Sequence, residues 1–328
     1  MYEVAQSLLE AGRFVPDNFL QVESFLREQT KKDDSTMWQD VFSLTHDGRV
    51  FPKHSLLSSL ILVPFIAVFG IWGVSVLNVL VQTGTVVSIH RVASLLQPGI
   101  PWTTSFLSVL IGTQIMHYSG GVAYDSLGGF LVIAATAIVG SRPLVAGGLV
   151  GLAVFCRPVN VLYAAVPFLF AERRFFMRLV IGMSVPLVSF LIMNFFLWGS
   201  PFTTAYQRLP MYQSGEPVIT LVGVGFELRT LASDWGDKLF GSQRGLLLFN
   251  PILFCLPFLR WGELMDARRI GIILVCLSQS ALVFAYDGWS ASWGGNRYLC
   301  PAVWLLAAIG VGVIYNRFVS KRRSISPP

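Results

Sequence analysis

The segment Tyr286-Asp-Gly-Trp-Ser-Ala-Ser-Trp-Gly-Gly-Asn-Arg-Tyr298 is polar and aromatic, and it lies between two apolar runs at residues 270–285 and 299–313. Each run is close to the roughly 20 residues with which a helix crosses a bilayer. Trp and Tyr favour the membrane–water interface because their rings are apolar with one polar edge. The segment is therefore interpreted either as an aromatic belt with a tight turn at Gly294-Gly295, or as the rim of a site for a lipid-linked, phosphate-bearing substrate.

The composition is that of a membrane protein. The 328 residues are 54% hydrophobic and 13% charged, with a mean hydropathy of +0.62, whereas soluble domains carry about 25% charged residues. Repeated apolar runs predict an all-α, polytopic transmembrane helical bundle with about 9–10 spans. The net charge of +6 sits mostly in short loops and the tail, which indicates topology and not nucleic-acid binding.

The chain divides by composition into three predicted segments. Residues 1–55 form a polar external segment that begins with an amphipathic helix over residues 2–11, which we expect to lie on the membrane or on the bundle. A second short helix is expected near residues 19–29. Residues 56–318 form the transmembrane helical domain, with an external loop at 199–243. Residues 319–328 are predicted to be a basic, disordered cytoplasmic tail.

Motif chemistry excludes several classes. The sequence has no Walker loop, no dinucleotide fingerprint and no zinc-ligand spacing, so nucleotide-driven and redox chemistry are not expected. The four cysteines lie in or beside apolar runs, which predicts small apolar packing residues and no disulfide framework.

Arg157 interrupts the apolar run at residues 144–170, and Pro158 follows it. An arginine between apolar residues is costly unless it faces water or an anion, or reaches the interface with its long side chain. Proline also breaks the helix there. The sequence thus predicts two short helices that meet at a polar point.

Basic residues set the expected orientation. The clusters at Arg173-Arg174, Arg260–Arg269 and the tail are each two spans apart, so all are placed inside. The segments 117–125, 199–243 and 286–298 are then outside, together with Arg157. Residues 56–69 contain Pro64 and are short for a full span, which leaves the side of residues 1–55 open.

Six short motifs follow one another along the sequence. They occupy residues 2–12, 47–54, 118–125, 152–158, 242–251 and 293–298. In this order they resemble motifs of the GT-C superfamily of membrane glycosyltransferases, which includes the protein O-mannosyltransferases and the lipid A aminoarabinose transferase. The donors of these enzymes are polyprenyl-phosphate sugars. The resemblance covers nearly the whole chain, although each motif alone is weak.

The resemblance implies transfer of a sugar from a polyprenyl-phosphate donor to an acceptor on the outer face of a bacterial inner or plasma membrane. Implied partners are that lipid-linked sugar and membrane lipids, with no nucleic acid; a divalent cation is the one cofactor left open. Asp125 is the best remaining external carboxylate and thus the candidate catalytic residue. It is also interpreted as a metal or acceptor ligand, an arginine partner or a helix N-cap. The implied substrate-binding residues are Lys53, His54, Arg157, Arg244, Trp293, Asn296 and Arg297. Lys53 and His54 are also interpreted as interfacial anchors, and Trp293 as a member of the aromatic belt.

One feature of the family falls outside the sequence. Its first external loop carries an acidic residue just before the helix that residues 2–12 resemble, and in this chain that position would precede Met1. We therefore interpret the sequence as an N-terminally truncated chain that lacks the first transmembrane helix and this acid, so its activity as a transferase is the point to be tested. Two competing hypotheses for the chain are a lipid or solute transporter or flippase, and a degenerate membrane protein.

Overall fold

Apolar helices form most of the described chain, as the predicted helical bundle requires. The computed structural model describes residues 2–12, 42–46, 50–52, 56–116, 124–205, 208–213, 216–221, 228–233, 235–242, 245–285 and 297–319. The helices are α1 (Tyr2–Ala11), α2 (Leu56–Phe69), α3 (Gly73–Leu96), α4 (Trp102–Gly112), α5 (Tyr124–Ile138), α6 (Pro143–Cys156), α7 (Ala165–Phe170), α8 (Phe176–Trp198), α9 (Leu228–Ala232), α10 (Trp235–Phe240), α11 (Leu246–Phe249), α12 (Trp261–Leu264), α13 (Ala267–Ala285) and α14 (Cys300–Ile314). The strands are β1 (Phe42–Leu44), β2 (Val50–Pro52), β3 (Arg208–Gln213) and β4 (Glu216–Leu221).

Four stretches in the described residues are long and apolar enough to cross a membrane. They are Leu56–Leu96, Arg173–Trp198, Ala267–Ala285 and Cys300–Arg317. Four shorter apolar helices accompany them, at Trp102–Gly112, Asp125–Ile138, Pro143–Cys156 and Pro158–Phe170. The helical membrane fold is compatible with these lengths, and the expected number of spans stays a prediction.

One compact unit comprises Met1–Leu77 and Pro186–Gly225. Helix α1 packs on α2 and ends as expected at Gly12, whose φ of 65° suits glycine. Strands β1 and β2 pair antiparallel, and so do β3 and β4. Phe51 packs edge-on against Trp198, with ring centroids 5.9 Å apart. These two short strand pairs were not predicted, and the rest of the described secondary structure is helical.

Two glycines lie at the break between α2 and α3. Gly70 has a φ of 57°, and Gly73 lies so close to the Phe65 carbonyl that a Cβ at this position has no room. A left-handed backbone followed by such a close approach requires glycine. The sequence correctly separated residues 56–69 from the next apolar run.

The other compact unit comprises Asn78–Val185 and Phe226–Pro328. Helix α14 is the most buried of its candidate spans, because 72% of the residues in its apolar window are buried. Packed around it are α4, α5, α13 and the 3₁₀ segment Pro251–Phe258. Ile252 fills the space beside two glycines: a Cβ at Gly112 or at Gly310 would come 2.9 Å from an Ile252 side-chain atom. The absence of a side chain on both glycines therefore permits this packing.

The apolar runs at residues 71–89 and 246–259 predict one span each, and both sets of boundaries are wrong. Helix α3 continues to Leu96, beyond His90-Arg91, because polar side chains do not by themselves end a helix. The His90 Nδ1 lies 2.8 Å from the Ser105 hydroxyl. Residues 246–259 are not one span, because α11 ends at Phe249 and a 3₁₀ segment follows. Asn250 has left the helical region, and Pro251 and Pro257 lack the N–H that an α-helix needs.

The predicted break at Arg157 is confirmed. Helix α6 ends at Cys156, Arg157 is extended, and a 3₁₀ segment covers Pro158–Ala164 before α7. The predicted external loop at 199–243 also contains β3, β4, α9 and α10. The expected helix at residues 19–29 and the tail at 320–328 lie outside the described residues.

Candidate functional site

Arg157 forms a buried ion pair with Asp125. The guanidinium Nη1 lies 2.6 Å from the Asp125 Oδ1, and the two side chains are 10% and 1% exposed. Asp125 belongs to the first turn of α5, whereas Arg157 lies where α6 ends. Since α5 and α6 are consecutive helices packed on each other, the start of one and the end of the other meet. Of the roles considered for Asp125, that of an arginine partner is the arrangement seen.

Tyr298 closes a second side of the arginine. The Arg157 Cζ lies 4.0 Å from the centroid of the Tyr298 ring, which is within cation–π range. Tyr298 belongs to the 3₁₀ segment Arg297–Leu299, directly before α14. Three of the six motif segments, 118–125, 152–158 and 293–298, thus contribute side chains that contact one another.

A buried amide pair lies at the same end of α14. The Asn250 Nδ2 donates to the Gln114 Oε1 at 3.1 Å, and the Gln114 backbone N–H donates to the Asn250 Oδ1 at 2.9 Å. The Gln114 Nε2 also lies 3.3 Å from the Sγ of Cys300, the first residue of α14. Asn250 belongs to the motif at 242–251. Gln114 was not predicted as a site residue. The available signal was an amide in a mostly apolar stretch, which must find a partner.

These contacts define what we call the polar cluster. Two sets of contacts meet at the N-terminal end of α14, one through Tyr298 and the other through Cys300. All the members belong to the same compact unit. The polar cluster consists of Gln114, Asp125, Arg157, Asn250, Tyr298 and Cys300.

The cysteines are free thiols, as expected. Cys156, Cys276 and Cys300 are buried, and Cys255 is half-buried. Their packing role was predicted from the surrounding apolar runs.

A second polar network holds the opposite ends of these helices. Arg269 donates to the Leu96 carbonyl and to the Glu263 carbonyl, both at 3.0 Å, and Asn316 donates to the Glu263 Oε1 at 2.8 Å. Arg268 lies over the Phe170 ring, 5.3 Å from its centroid. The segments around residues 170, 263–269 and 316 therefore share one end of the unit, as the distribution of basic residues predicted.

The pKa of Glu263 lies below its usual range. Burial opposes this by raising the pKa. It is outweighed by the backbone N–H of Arg260, the side-chain amide of Asn316 and the positive charge of Arg269. Glu263 is thus an ionised connector of the network.

A further buried cation was missed from the sequence. The Lys238 Nζ donates to the Ser233 carbonyl at 2.7 Å, and it lies 5.8 Å and 5.7 Å from the ring centroids of Trp235 and Phe284. Lys238 is fully buried. The signal was present, because Trp235 and Lys238 are three residues apart and therefore adjacent on a helix. It was overlooked because the region was interpreted as a loop.

The other predicted site residues fall where side chains are not described. Lys53, His54, Arg244, Trp293 and Asn296 lie outside the described residues, and of Arg297 only the backbone is described.

Comparison of the chain with protein-family models, with curated proteins and with solved structures finds no match in any of the three. Function is therefore inferred from the contacts of this chain's own residues.

Proposed function

We propose that the chain is a membrane glycosyltransferase that uses a polyprenyl-phosphate-linked sugar as donor, on the outer face of a bacterial plasma membrane. The observation that carries the proposal is the position of Arg157, held between Asp125 and Tyr298 where three separate motifs meet. A lone buried cation is costly in an apolar bundle. The presence of Arg157 in the bundle, in contact with Asp125 and Tyr298, supports a role in binding an anion.

The proposed role of Arg157 is to bind the phosphate of the donor. A guanidinium is planar and can donate two hydrogen bonds to one phosphate, while its charge stabilises the negative charge that develops on the leaving group. Asp125 is a positioning residue in this proposal, because its carboxylate is directed at Arg157 and is 1% exposed. Arg244 and Arg297 remain proposed phosphate ligands, and the role of Lys53 stays a prediction from the sequence.

The reaction proposed is a displacement at the anomeric carbon. The acceptor hydroxyl oxygen bonds to that carbon while the bond from the anomeric carbon to the phosphate oxygen breaks. Polyprenyl phosphate leaves with the bonding electrons, and the proton of the hydroxyl group is taken up by this phosphate. None of the described residues is assigned as a general base.

A lipid or solute transporter is the second candidate. It is favoured by the two helix interruptions, at Arg157 and at Asn250, since transporters bind substrates at broken helices. A transporter moves its ligand without changing its covalent structure. This difference separates the two candidates experimentally.

The test is a transfer assay on the full chain in proteoliposomes with a radiolabelled polyprenyl-phosphate sugar. We expect label to appear on an acceptor. Arg157→Gln should reduce the transfer rate by about 100-fold, because losing a group that stabilises developing charge has an effect of this size. Arg142→Gln is the matched control, because Arg142 is an exposed arginine at the opposite end of α6, and its rate should stay unchanged. Movement of intact donor across the bilayer without transfer would instead support the transporter.

A further inference from the structure

Gln279 is a polar side chain buried in the interior of the bundle. It is 0% exposed, and within the described part of the chain neither its Oε1 nor its Nε2 has a hydrogen-bond partner. A carboxamide offers two N–H donors and an acceptor oxygen. An unpaired amide in an apolar interior is unfavourable, because it has given up its hydrogen bonds to water without gaining others. Such a residue indicates a partner other than the described residues.

Contacts between α13 and α14 locate Gln279 relative to the residues of α14. The Cys276 Sγ lies 3.7 Å from the Ala302 carbonyl oxygen, and α13 and α14 are consecutive spans that pack on each other. Because such spans run antiparallel, Gln279 lies one turn further along α13, at the level of Leu299. That level is next to Tyr298, whose ring contacts Arg157. Gln279 is about 9 Å from the end of α13 at 1.5 Å per residue.

Tyr163 is a second buried group of the same kind. It is 0% exposed, and the thiols of Cys276 and Cys300 and the backbone of Ala302 lie around its hydroxyl. The hydroxyl oxygen has no hydrogen bond of good geometry to a described residue. Tyr163 therefore shares with Gln279 the interior between α13 and α14.

The 3₁₀ segment connects Tyr163 to Arg157. Residues three apart are aligned on a 3₁₀ helix, so Arg157, Asn160 and Tyr163 follow one face, and all three are buried. Asn160 is itself occupied, since its Nδ2 donates to the Ala153 carbonyl at 2.9 Å. A line of polar groups therefore leads from the ion pair toward Tyr163.

We propose that Gln279 and Tyr163 form a subsite that recognises the hydroxyl groups of the donor's sugar, beside the phosphate at Arg157. This inference rests on the proposed function and assigns to it two specificity-determining residues. A carboxamide and a phenol can each both donate to and accept from a sugar hydroxyl. A subsite built to hydrogen-bond a hydroxyl discriminates strongly against a ligand that lacks it, because its own groups are then left unpaired.

The variant Gln279→Leu separates this role from a structural one. Leucine has similar size and no polar atoms, so replacing an unpaired buried amide should leave the free energy of unfolding unchanged or raise it. If Gln279 only stabilised the fold, Gln279→Leu would instead lower the free energy of unfolding. Tyr163→Phe removes just the hydroxyl, and Ser278→Ala is the control, because Ser278 is an exposed neighbour that bonds its own helix at the Leu274 carbonyl.

The experiment measures equilibrium binding of two probes to the full chain in nanodiscs, polyprenyl phosphate and polyprenyl-phosphate glucose. We expect the wild type and Ser278→Ala to bind the glucose-bearing lipid more tightly. Gln279→Leu should reduce that preference by about tenfold, equivalent to roughly 1.4 kcal/mol, and Tyr163→Phe should reduce it less. Affinity for polyprenyl phosphate should not change in either variant.

The two ways in which the experiment can fail are distinguishable. If the wild type binds the two lipids equally, or if Gln279→Leu keeps the wild-type preference, the subsite holds internal water only and the inference is overturned. If the wild type binds neither lipid, the proposed function itself fails.

Discussion

Gln114 and Asn250 are 136 residues apart in sequence and exchange two hydrogen bonds in the bundle interior. The Asn250 Nδ2 also donates to the Leu246 carbonyl at 2.9 Å. The pair therefore ties the end of α4 to the point where α11 gives way to the 3₁₀ segment. Through the Gln114 contact with Cys300 it also fixes the start of α14, and with it Tyr298.

Loss of one amide of this pair should destabilise the chain. Asn250→Leu leaves the Gln114 groups buried without these bonds, so we expect unfolding to become easier by about 1–3 kcal/mol. SDS-induced unfolding of the purified protein measures this change. Gln114→Leu combined with Asn250→Leu should cost less than the sum of the single variants, and additive costs would contradict direct coupling.

Glycines at the crossing of α6 and α8 provide a second test. A Cβ at Gly147 would collide with the Leu179 carbonyl, and one at Gly182 with the Leu144 carbonyl, whereas at Gly148 the nearest atom is 3.8 Å away. Gly147→Ala and Gly182→Ala should therefore each destabilise by about 1–3 kcal/mol through overpacking. The close approach of backbones through glycine is typical of membrane helices.

Gly148→Ala is the matched control for this crossing. The added methyl meets ordinary van der Waals space, and alanine favours the helix over glycine by about 1 kcal/mol. Its unfolding free energy should be unchanged or higher in the same SDS titration. Equal losses at Gly147 and Gly148 would show that the two helices do not cross as described.

Glu263 should make stability depend on pH. Its pKa in the folded chain lies below the ordinary value of 4.5, so the ionised form is favoured by folding. The resulting stabilisation is complete above about pH 4.5 and is lost as the pH falls through the lowered folded-state pKa. Thermal unfolding between pH 3 and pH 7 should show this loss, and Glu263→Gln should flatten the profile in that window. An unchanged acid slope in Glu263→Gln would contradict the assignment.

The ion pair of Arg157 and Asp125 should be sensitive to removal of one partner. Arg157→Gln leaves a buried carboxylate without its cation, a type of change that costs about 3–5 kcal/mol. Asp125→Asn combined with Arg157→Gln replaces both charges by amides of similar shape and should recover most of this stability. Recovery is measured by thermal unfolding in detergent, and a double variant as unstable as Arg157→Gln would mean that the two charges do not compensate each other.

Local sequence features predicted part of this structure well. The Arg157-Pro158 break, the stop at Gly12 and the separation at Gly70 each follow from a residue that a helix cannot accommodate at low cost. The bounds of residues 246–259 were wrong because high hydropathy masked the effect of Pro251 and Pro257. In this run the hydropathy favours one continuous span, whereas the two prolines oppose it.

Pairing between distant residues was harder to predict. Asp125 was considered as an arginine partner, but only the packing of α5 on α6 brings it to Arg157. Gln114 and Gln279 were missed because a single polar residue in an apolar stretch does not identify what it faces, and Lys238 was missed because its region was interpreted as a loop. Topology, and not composition, decides these partners.

The central claim, that the polar cluster binds an anionic lipid head group, is tested most directly by equilibrium binding of polyprenyl phosphate to the chain in nanodiscs. The double variant Asp125→Asn with Arg157→Gln is the informative protein, because it should remain folded without the guanidinium. We predict that its dissociation constant is about tenfold higher than that of the wild type, equivalent to roughly 1.4 kcal/mol, while Arg142→Gln binds as the wild type does. Equal affinity of the wild type and the folded double variant would contradict the claim.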